Sequence, residues 1–536
     1  MTKFSYFLLC LLMGTVSLLK AQPQAVNYHA NDRFEQMGTA LPTPNSYRTA
    51  SGAPGKDYWQ NRVDYDIKAE LDDEKRTLIG TEVMTYFNNS PDELSYVWVQ
   101  LDQNTFEHKA TGNITRNNAI NEKGMSSMML QMALSPDYGY GYKITAVKDP
   151  KTNKTLRYII NGTMMRVDLP APIRKGQSAS IQIDWNFKIT DAKKVRGRSG
   201  FEEFRDGNCV YEMAQWFPRA CVYDDVTGWQ HKQFLGQGEF TLPFGNYKVA
   251  VTVPNDHILG ATGELQNPTQ VLTTEQIRRL DQARKITDKP VLIVTQDEAT
   301  KNESSKPTGK KTWIFKADNV RDFAFATSRK FIWDGLNVNL NGRNILCMSF
   351  YPKEANPLWG QYSTQLVAHT VRTYSRFTFD YPYPVAQSVH GPVGGMEYPM
   401  MSFNGARPEP DGTYSEGTKN FLIQVVIHEV GHNWFPMIVN SDERQWSWMD
   451  EGMNSFLEYL TTKEWDRNLG DEVAEPQNIV EYMRTEPSKQ VPIMSSSDNI
   501  IPNTFGPNAY TKPATGLNIL RETIMGRELF DYAFKE

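Results

Sequence analysis

Between Phe421 and Leu460 the chain reads FLIQVVIHEVGHNWFPMIVNSDERQWSWMDEGMNSFLEYL, and the chemistry is concentrated in His428-Glu429-Val430-Gly431-His432. Leu422, Val425 and Val426 lead into it as the apolar face of a buried helix. Residues four apart share a helical face, so both imidazoles can reach one metal ion. Nitrogen ligands about 2.0–2.1 Å from the ion suit zinc, and a catalytic zinc takes three protein ligands with one position left for water. Glu429 sits beside the pair, where a general base could take a proton from that water.

Glu451 is the candidate third ligand, separated from His432 by the eighteen residues 433–450. It opens a second periodic segment (Met453, Phe456, Leu457, Leu460) and is expected in the first turn of a helix beside the first. Glu458, two turns further along the same face, could accept the other ring N–H of a ligand histidine and fix its tautomer. The competing reading is a pair of ordinary histidines on a helix, which leaves the spacing to Glu451 unexplained.

Upstream, Gly391-Pro392-Val393-Gly394-Gly395-Met396-Glu397-Tyr398-Pro399 is short, bounded by prolines and ends near an acid. Prolines confine a strand to a sheet edge, and glycine admits close approach of another backbone. Two readings are open. One is an edge strand that pairs with an extended peptide while Glu397 binds its α-ammonium; the other is an ordinary Gly/Pro turn. His369, alone on the expected Trp359–Phe377 helix, is read as structural.

The elements that must position these residues belong to a chain of 536 residues, longer than one ordinary core. A hydrophobic content of 40%, with 12 Trp, 25 Tyr and 26 Phe, describes a globular protein. The formal net charge of −5 gives no basic face for nucleic acid. Residues 1–21 (MTKFSYFLLCLLMGTVSLLKA) read as a secretory signal: basic Lys3, an apolar run from Phe4 to Leu19, and a cleavage site before Gln22. The alternative is an uncleaved anchor, for which the run is short. Cys10 has large apolar neighbours where a lipoprotein signal wants small ones. No other run is long enough to span a membrane, so export without a transmembrane helix is expected. Of the later cysteines, either Cys209 and Cys221 form a disulfide, or these two and Cys347 are all buried thiols.

Residues 22–57 lack periodicity and are expected as an extended arm. Residues 58–342 read as a β-rich domain. Leu78–Phe87 and Leu94–Leu101 flank the turn signal Asn88-Asn89-Ser90-Pro91. Ile181, Ile183, Trp185, Phe187 and Ile189 alternate strictly, as do Tyr247, Val249, Val251 and Val253, which predicts half-buried antiparallel strands. Thr274–Lys285 reads as a short polar helix and Gln296–Lys311 as a solvated loop. Ile345–Tyr351 predicts one more strand, after which residues 343–536 turn mostly helical. The fold class is therefore α+β and multidomain.

Taken together, the motifs resemble those of the gluzincin aminopeptidases, the family of alanyl aminopeptidase and the leukotriene hydrolase type. The family signature is HExxH, eighteen residues, then Glu in a W-[LM]-[ND]-E-G context, here Trp448-Met449-Asp450-Glu451-Gly452. Its upstream G-x-M-E-N motif looks like Gly394-Gly395-Met396-Glu397-Tyr398. The resemblance implies one Zn2+ per chain on His428, His432 and Glu451, with Glu429 as base. It also implies that Glu397 holds the free amino terminus of a peptide, with Gly394, Gly395 and Met396 beside it. Tyr510, in Tyr510-Thr511-Lys512-Pro513, matches the family's oxyanion tyrosine in position and partly in context, and Gln215 looks like its pocket-lining glutamine. A saddle-like N-terminal β domain over a thermolysin-like catalytic domain is implied as well. Tyr398 stands where the family has Asn, and Pro513 where it has Gly. The family continues past the segment that ends at Glu536, so a C-terminally incomplete chain is expected. The alternatives are a thermolysin-type endopeptidase, which the Gly394–Glu397 segment disfavours, and a non-catalytic binding protein on the same fold. Neither oligomeric state nor the preferred first residue is legible.

Overall fold

The computed structural model describes residues 43–112, 120–121, 124–125, 135–469 and 473–536. The expected signal segment and residues 22–42 of the expected arm lie outside them.

The alternating segments become strands of a seven-stranded sheet. Its order runs Glu264–Leu265, Lys310–Val320, Gly245–Pro254, Arg62–Asp72, Thr77–Asn88, Gln177–Lys188 and Lys143–Lys148. Along Gln177–Lys188, Ile181, Ile183, Trp185 and Phe187 are buried while the residues between them are partly exposed, the period-2 pattern of a strand on a core. One expectation is corrected here. Arg62–Asp72 pairs Gly245–Pro254 in parallel, so the sheet is mixed rather than wholly antiparallel. Parallel neighbours need a long connection, and the 172 residues between Asp72 and Gly245 supply it.

The turn after Asn88 does not close a hairpin. Thr77–Asn88 pairs with Arg62–Asp72 and Gln177–Lys188, whereas Leu94–Gln100 belongs to a four-stranded sheet with Arg219–Ala220, Met164–Ile173 and Tyr158–Asn161. Asn88 holds the crossing point: its buried amide donates to Asp92 O at 2.7 Å and Ile173 O at 2.8 Å. A second four-stranded sheet contains Gly200–Glu203, Cys209–Met213, Phe325–Ser328 and Ile258–Ala261. Cys209, Cys221 and Cys347 are buried free thiols, so the disulfide reading is not realised. The expected loop at Gln296–Lys311 is also corrected. Gln296–Ser305 is a helix, because Thr295 and Glu298 form a reciprocal capping box that its polar composition concealed.

The sheet beneath the site has six strands, ordered Val291–Val294, Phe331–Leu340, Arg343–Pro352, Val385–His390, Met401–Asn404 and Gly395–Tyr398. Residues 342 and 343, the expected domain boundary, lie at the tip of the hairpin that joins its second and third strands. The Gly395–Tyr398 strand is at the edge. Helices Leu358–Phe377 and Glu416–Gly431 pack on this sheet and on each other, and helix Met453–Trp465 packs against both. Among the described residues no helix is long and apolar enough to cross a membrane.

Candidate metal centre

Ser415 starts the Glu416–Gly431 helix, its hydroxyl accepting from Thr418 N at 3.0 Å. Leu422, Val426 and Val430 are buried on the inner face. Gly431 sets how tightly the helices meet. A Cβ there would lie 2.2 Å from the Tyr374 hydroxyl and 2.4 Å from Asn454 Oδ1. Tyr374 donates to Asn454 Oδ1 at 2.9 Å, and Asn454 Nδ2 donates to the His428 carbonyl at 2.9 Å. Three helices are thereby latched around the end that carries the histidines.

At that end three ligand atoms converge. His428 Nε2 and His432 Nε2 are 3.0 Å apart, and Glu451 Oε2 lies 3.1 Å from the first and 3.2 Å from the second. Ligands on a tetrahedral zinc with bonds of about 2.0–2.1 Å stand roughly 3.3 Å from one another. The near-equilateral triangle is one face of that tetrahedron. The outer nitrogens fix the tautomers. His428 Nδ1 donates to Glu458 Oε2 at 2.8 Å, and His432 Nδ1 donates to Phe435 O at 2.8 Å with Asp450 Oδ1 at 3.1 Å. In its neutral, metal-binding form each ring therefore turns an unprotonated Nε2 toward the other ring and toward a carboxylate. Three acceptors facing one another need a cation, and the donor set fits zinc.

The electrostatics agree. Burial works to lower the His428 pKa, but Glu458 and Glu451 outweigh it and hold it up at about 10. Burial likewise opposes, and Glu397 and Asp450 override, so His432 is held well up. Against burial, the bonds to both histidines hold Glu451 well below the usual carboxylate range. All these groups favour positive charge at the centre of the triangle.

Glu451 corrects one expectation: it lies in a π-helical turn, Trp448–Gly452, that precedes the Met453–Trp465 helix. Such turns carry an extra residue per turn and recur at functional sites. Tyr510 occupies a second π-helical turn, Pro507–Thr511. Its hydroxyl donates to Glu451 Oε1 at 2.5 Å, and its ring stacks on His428 with centroids 5.8 Å apart.

Glu429 is buried and its Oε2 has no hydrogen-bond partner among the described residues. Burial first, then Glu451 and Glu239, push it up to about 7 against the pull of the two histidines. The edge strand touches it, since a Cβ on Gly395 would lie 2.5 Å from Glu429 Oε1. Glu397, from the same strand, has an oxygen within 4.8 Å of ligand atoms of Glu429 and His432. It is 3% exposed, its Oε1 has no partner among the described residues, and burial with nearby Glu239 raises its pKa strongly. Gly394 has open space where a Cβ would stand, and its carbonyl accepts from Gly405 N at 2.9 Å. Met396 points away from Glu397, into the core beside Arg198. Tyr398 is buried and stacks on Phe240.

Gln215 follows the Cys209–Met213 strand with a left-handed φ of 52°. Its carbonyl accepts from Gln103 and Tyr142, its side-chain nitrogen is buried without a partner among the described residues, and no hydrogen bond joins it to the triangle. His369 Nε2 donates to the Thr461 carbonyl at 3.0 Å, and the ring packs on Trp465, as a structural histidine would. Sequence reasoning missed Glu239, whose carboxylate reaches the Glu397 side of the centre from a loop of the β region.

Residues 362–536 match the description "Peptidase family M1 domain". Aminopeptidase 2 of Candida albicans is 24% identical over 184 residues, which is 32% of this chain and 20% of that protein. Glutamyl aminopeptidase of Bos taurus is 30% identical over 129 residues, 23% of this chain and 13% of that protein. The matches thus span a fifth or less of these curated relatives. An M1 zinc metallopeptidase from Deinococcus radiodurans has a similar fold, with a TM-score of 0.55 and 15% identity over 90% of this chain and 86% of that one.

Proposed function

We propose that this chain, whose residues 362–536 are a peptidase family M1 domain, is an exported zinc aminopeptidase that removes single residues from the free amino terminus of peptides. The observation that carries the reading is the triangle of His428, His432 and Glu451 with Glu397 on the adjoining edge strand. One side can hold a catalytic metal, and the other can hold an ammonium group a short distance away.

Zinc on the triangle supplies a Lewis acid that polarises the scissile carbonyl and makes water acidic enough to attack near neutral pH. Glu429 takes the proton of the attacking water and delivers it to the leaving amine. Its elevated pKa suits both halves of that task. Tyr510 shifts its hydroxyl from Glu451 to the oxyanion as charge develops there. Glu397 binds the α-ammonium, the edge strand supplies backbone contacts at Gly394 and Gly395, and Glu458 and Phe435 O keep the imidazoles in register.

The finer architecture belongs to the same proposal. We read a saddle-like β domain over a thermolysin-like catalytic domain, the latter drawing in Phe331–Leu340 through the hairpin that crosses residue 342. The signal-like segment 1–21 supports export.

The test compares an aminoacyl anilide with its N-acetylated twin on the zinc-loaded chain. Cleavage of the free-amine form alone, abolished by chelator and restored by zinc, is expected. Equal cleavage of both would indicate an endopeptidase, and cleavage of neither a binding protein.

A further inference from the structure

Val393 stands two residues before Gly395 and four before Glu397, so whatever fixes its backbone sets where the edge strand begins. Its buried N–H donates to Oε2 of Glu212 at 2.8 Å. Gly391, two residues earlier, faces the same group. A Cβ there would lie 2.2 Å from the carboxyl carbon of Glu212 and 2.4 and 2.6 Å from its two oxygens. The Glu212 carboxyl group is fully buried and packs directly on the Gly391–Val393 backbone, in space that a side chain at 391 would take.

The anchor is rigid. Glu212 lies in the Cys209–Met213 strand, paired with Gly200 on one side and Ala326 on the other, within a four-stranded sheet of the β region. The neighbour of the edge strand is tied to the same sheet. Arg407, three residues beyond Met401–Asn404, donates to both oxygens of Glu202 at 3.0 and 2.7 Å. Gly395–Tyr398 and Met401–Asn404 are joined through Pro399 and Met400 at one end. Glu212 and Glu202 hold the other end, where Gly394 and Gly405 meet.

Among the described residues Glu212 belongs to none of the acidic groups around the metal centre. Burial pushes its pKa well up, and the Val393 N–H pulls the other way without cancelling it. The group is therefore held as the neutral acid, a form that glutamine imitates: a carbonyl oxygen for Val393 N, with an amide N–H in place of the acid O–H.

We propose that Glu212 is a positioning residue for the exopeptidase reaction: by accepting from Val393 N and filling the space left by Gly391, it fixes the start of the edge strand and thereby the placement of Glu397 relative to the metal. The inference rests on the aminopeptidase reading and deepens it. Glu397 must meet the ammonium while the scissile carbonyl meets the metal, so a displaced edge strand gives up one of the two contacts.

Steady-state kinetics of the zinc-loaded full chain on the aminoacyl anilide and its N-acetylated twin test it. Glu212→Met keeps a side chain of similar length and removes the acceptor. Its KM for the free-amine anilide should rise about tenfold or more with kcat changed much less, and its selectivity over the acetylated twin should fall. Glu212→Gln should match wild type in both respects. Zinc content of one per chain and a cooperative thermal transition are expected in both variants. Gly391→Ala, which drives a methyl group into the same carboxyl group from the strand side, should reproduce the rise in KM, and it decides in place of Glu212→Met if that variant does not fold. Wild-type KM and selectivity in the deciding variant would overturn the proposal. So would a lower kcat at unchanged KM, the mark of a smaller folded fraction, and so would a Glu212→Gln as impaired as Glu212→Met. A wild type that cleaves the free and acetylated anilides equally would overturn the aminopeptidase reading itself. A wild type selective for the free amine, with the deciding variant unimpaired, would overturn the role of Glu212 alone.

Discussion

A Cβ on Gly452 would stand 2.2 Å from Cγ of Pro513 and 2.9 Å from the Ala509 carbonyl. The two π-helical turns, one carrying Glu451 and the other Tyr510, meet at this glycine. Pro513 sits on the bare backbone of Gly452. Gly452→Ala should therefore cost about 1–3 kcal/mol of stability as an overpacking change. It should also lower kcat, since the turn bearing Tyr510 must move off Glu451. Thermal unfolding and steady-state kinetics check both, and an unaltered melting temperature would show that the turns do not depend on this contact.

Gly395 stands in the same relation to Glu429. With Glu429 Oε1 2.5 Å from where a Cβ would be, Gly395→Ala must displace either the carboxylate or the edge strand. A fall in kcat of about tenfold or more is expected, because misplacement of a catalytic group by an ångström is expensive. Turnover at the wild-type rate would mean that Glu429 works from another rotamer.

Glu429→Gln keeps the shape of the side chain and removes its basicity. Turnover should fall by about 10²–10⁴-fold, with zinc content unchanged by elemental analysis. Loss of the metal instead would assign Glu429 to holding it.

Glu458 is read as acting through His428, to which it is joined at 2.8 Å. Glu458→Gln should weaken zinc binding by about 10–100-fold in a chelator competition. Activity at saturating zinc should largely recover. Unchanged zinc affinity would leave the bond a packing feature.

Much of the centre was legible because it is local. His428 and His432 are one helical turn apart, and Glu458 follows Glu451 by two turns. Helical periodicity reports such neighbours directly. The strand pattern of Gln177–Lys188 was legible for the same reason, with a period of two. What stayed hidden depends on long-range pairing or on single atoms. No periodicity announces that Arg62–Asp72 lies parallel to Gly245–Pro254. The polar run at Gln296–Ser305 looked like a loop because its capping box is a two-residue signal inside a charged stretch. Glu239 is an acid among many, in a loop far upstream of Glu397, and only the fold brings the two within reach. Nor does the sequence separate the π-helical turn at Glu451 from an α-helical one, since the two differ by one residue of register.

Asp334 offers a test away from the metal. It is 3% exposed on the Phe331–Leu340 strand, where it accepts hydrogen bonds from Thr364 and, at 2.6 Å, from the Tyr351 hydroxyl. Burial pushes its pKa from 3.8 up to about 6, and the two hydrogen bonds pull the other way without cancelling it. The elevated value means that the fold prefers the neutral acid, so the stabilising contribution is fully present below pH ~4 and is lost as pH rises through about 6. The Asn in Asp334→Asn does not ionise. The stability of wild type relative to this variant should therefore fall between pH 4 and pH 7, by at most about 3 kcal/mol. Denaturant unfolding of both proteins across that range measures the difference. A difference that stays flat with pH would place the ionisation of Asp334 outside the window, and one that rises would mean that Thr364 and Tyr351 stabilise the carboxylate more than burial disfavours it.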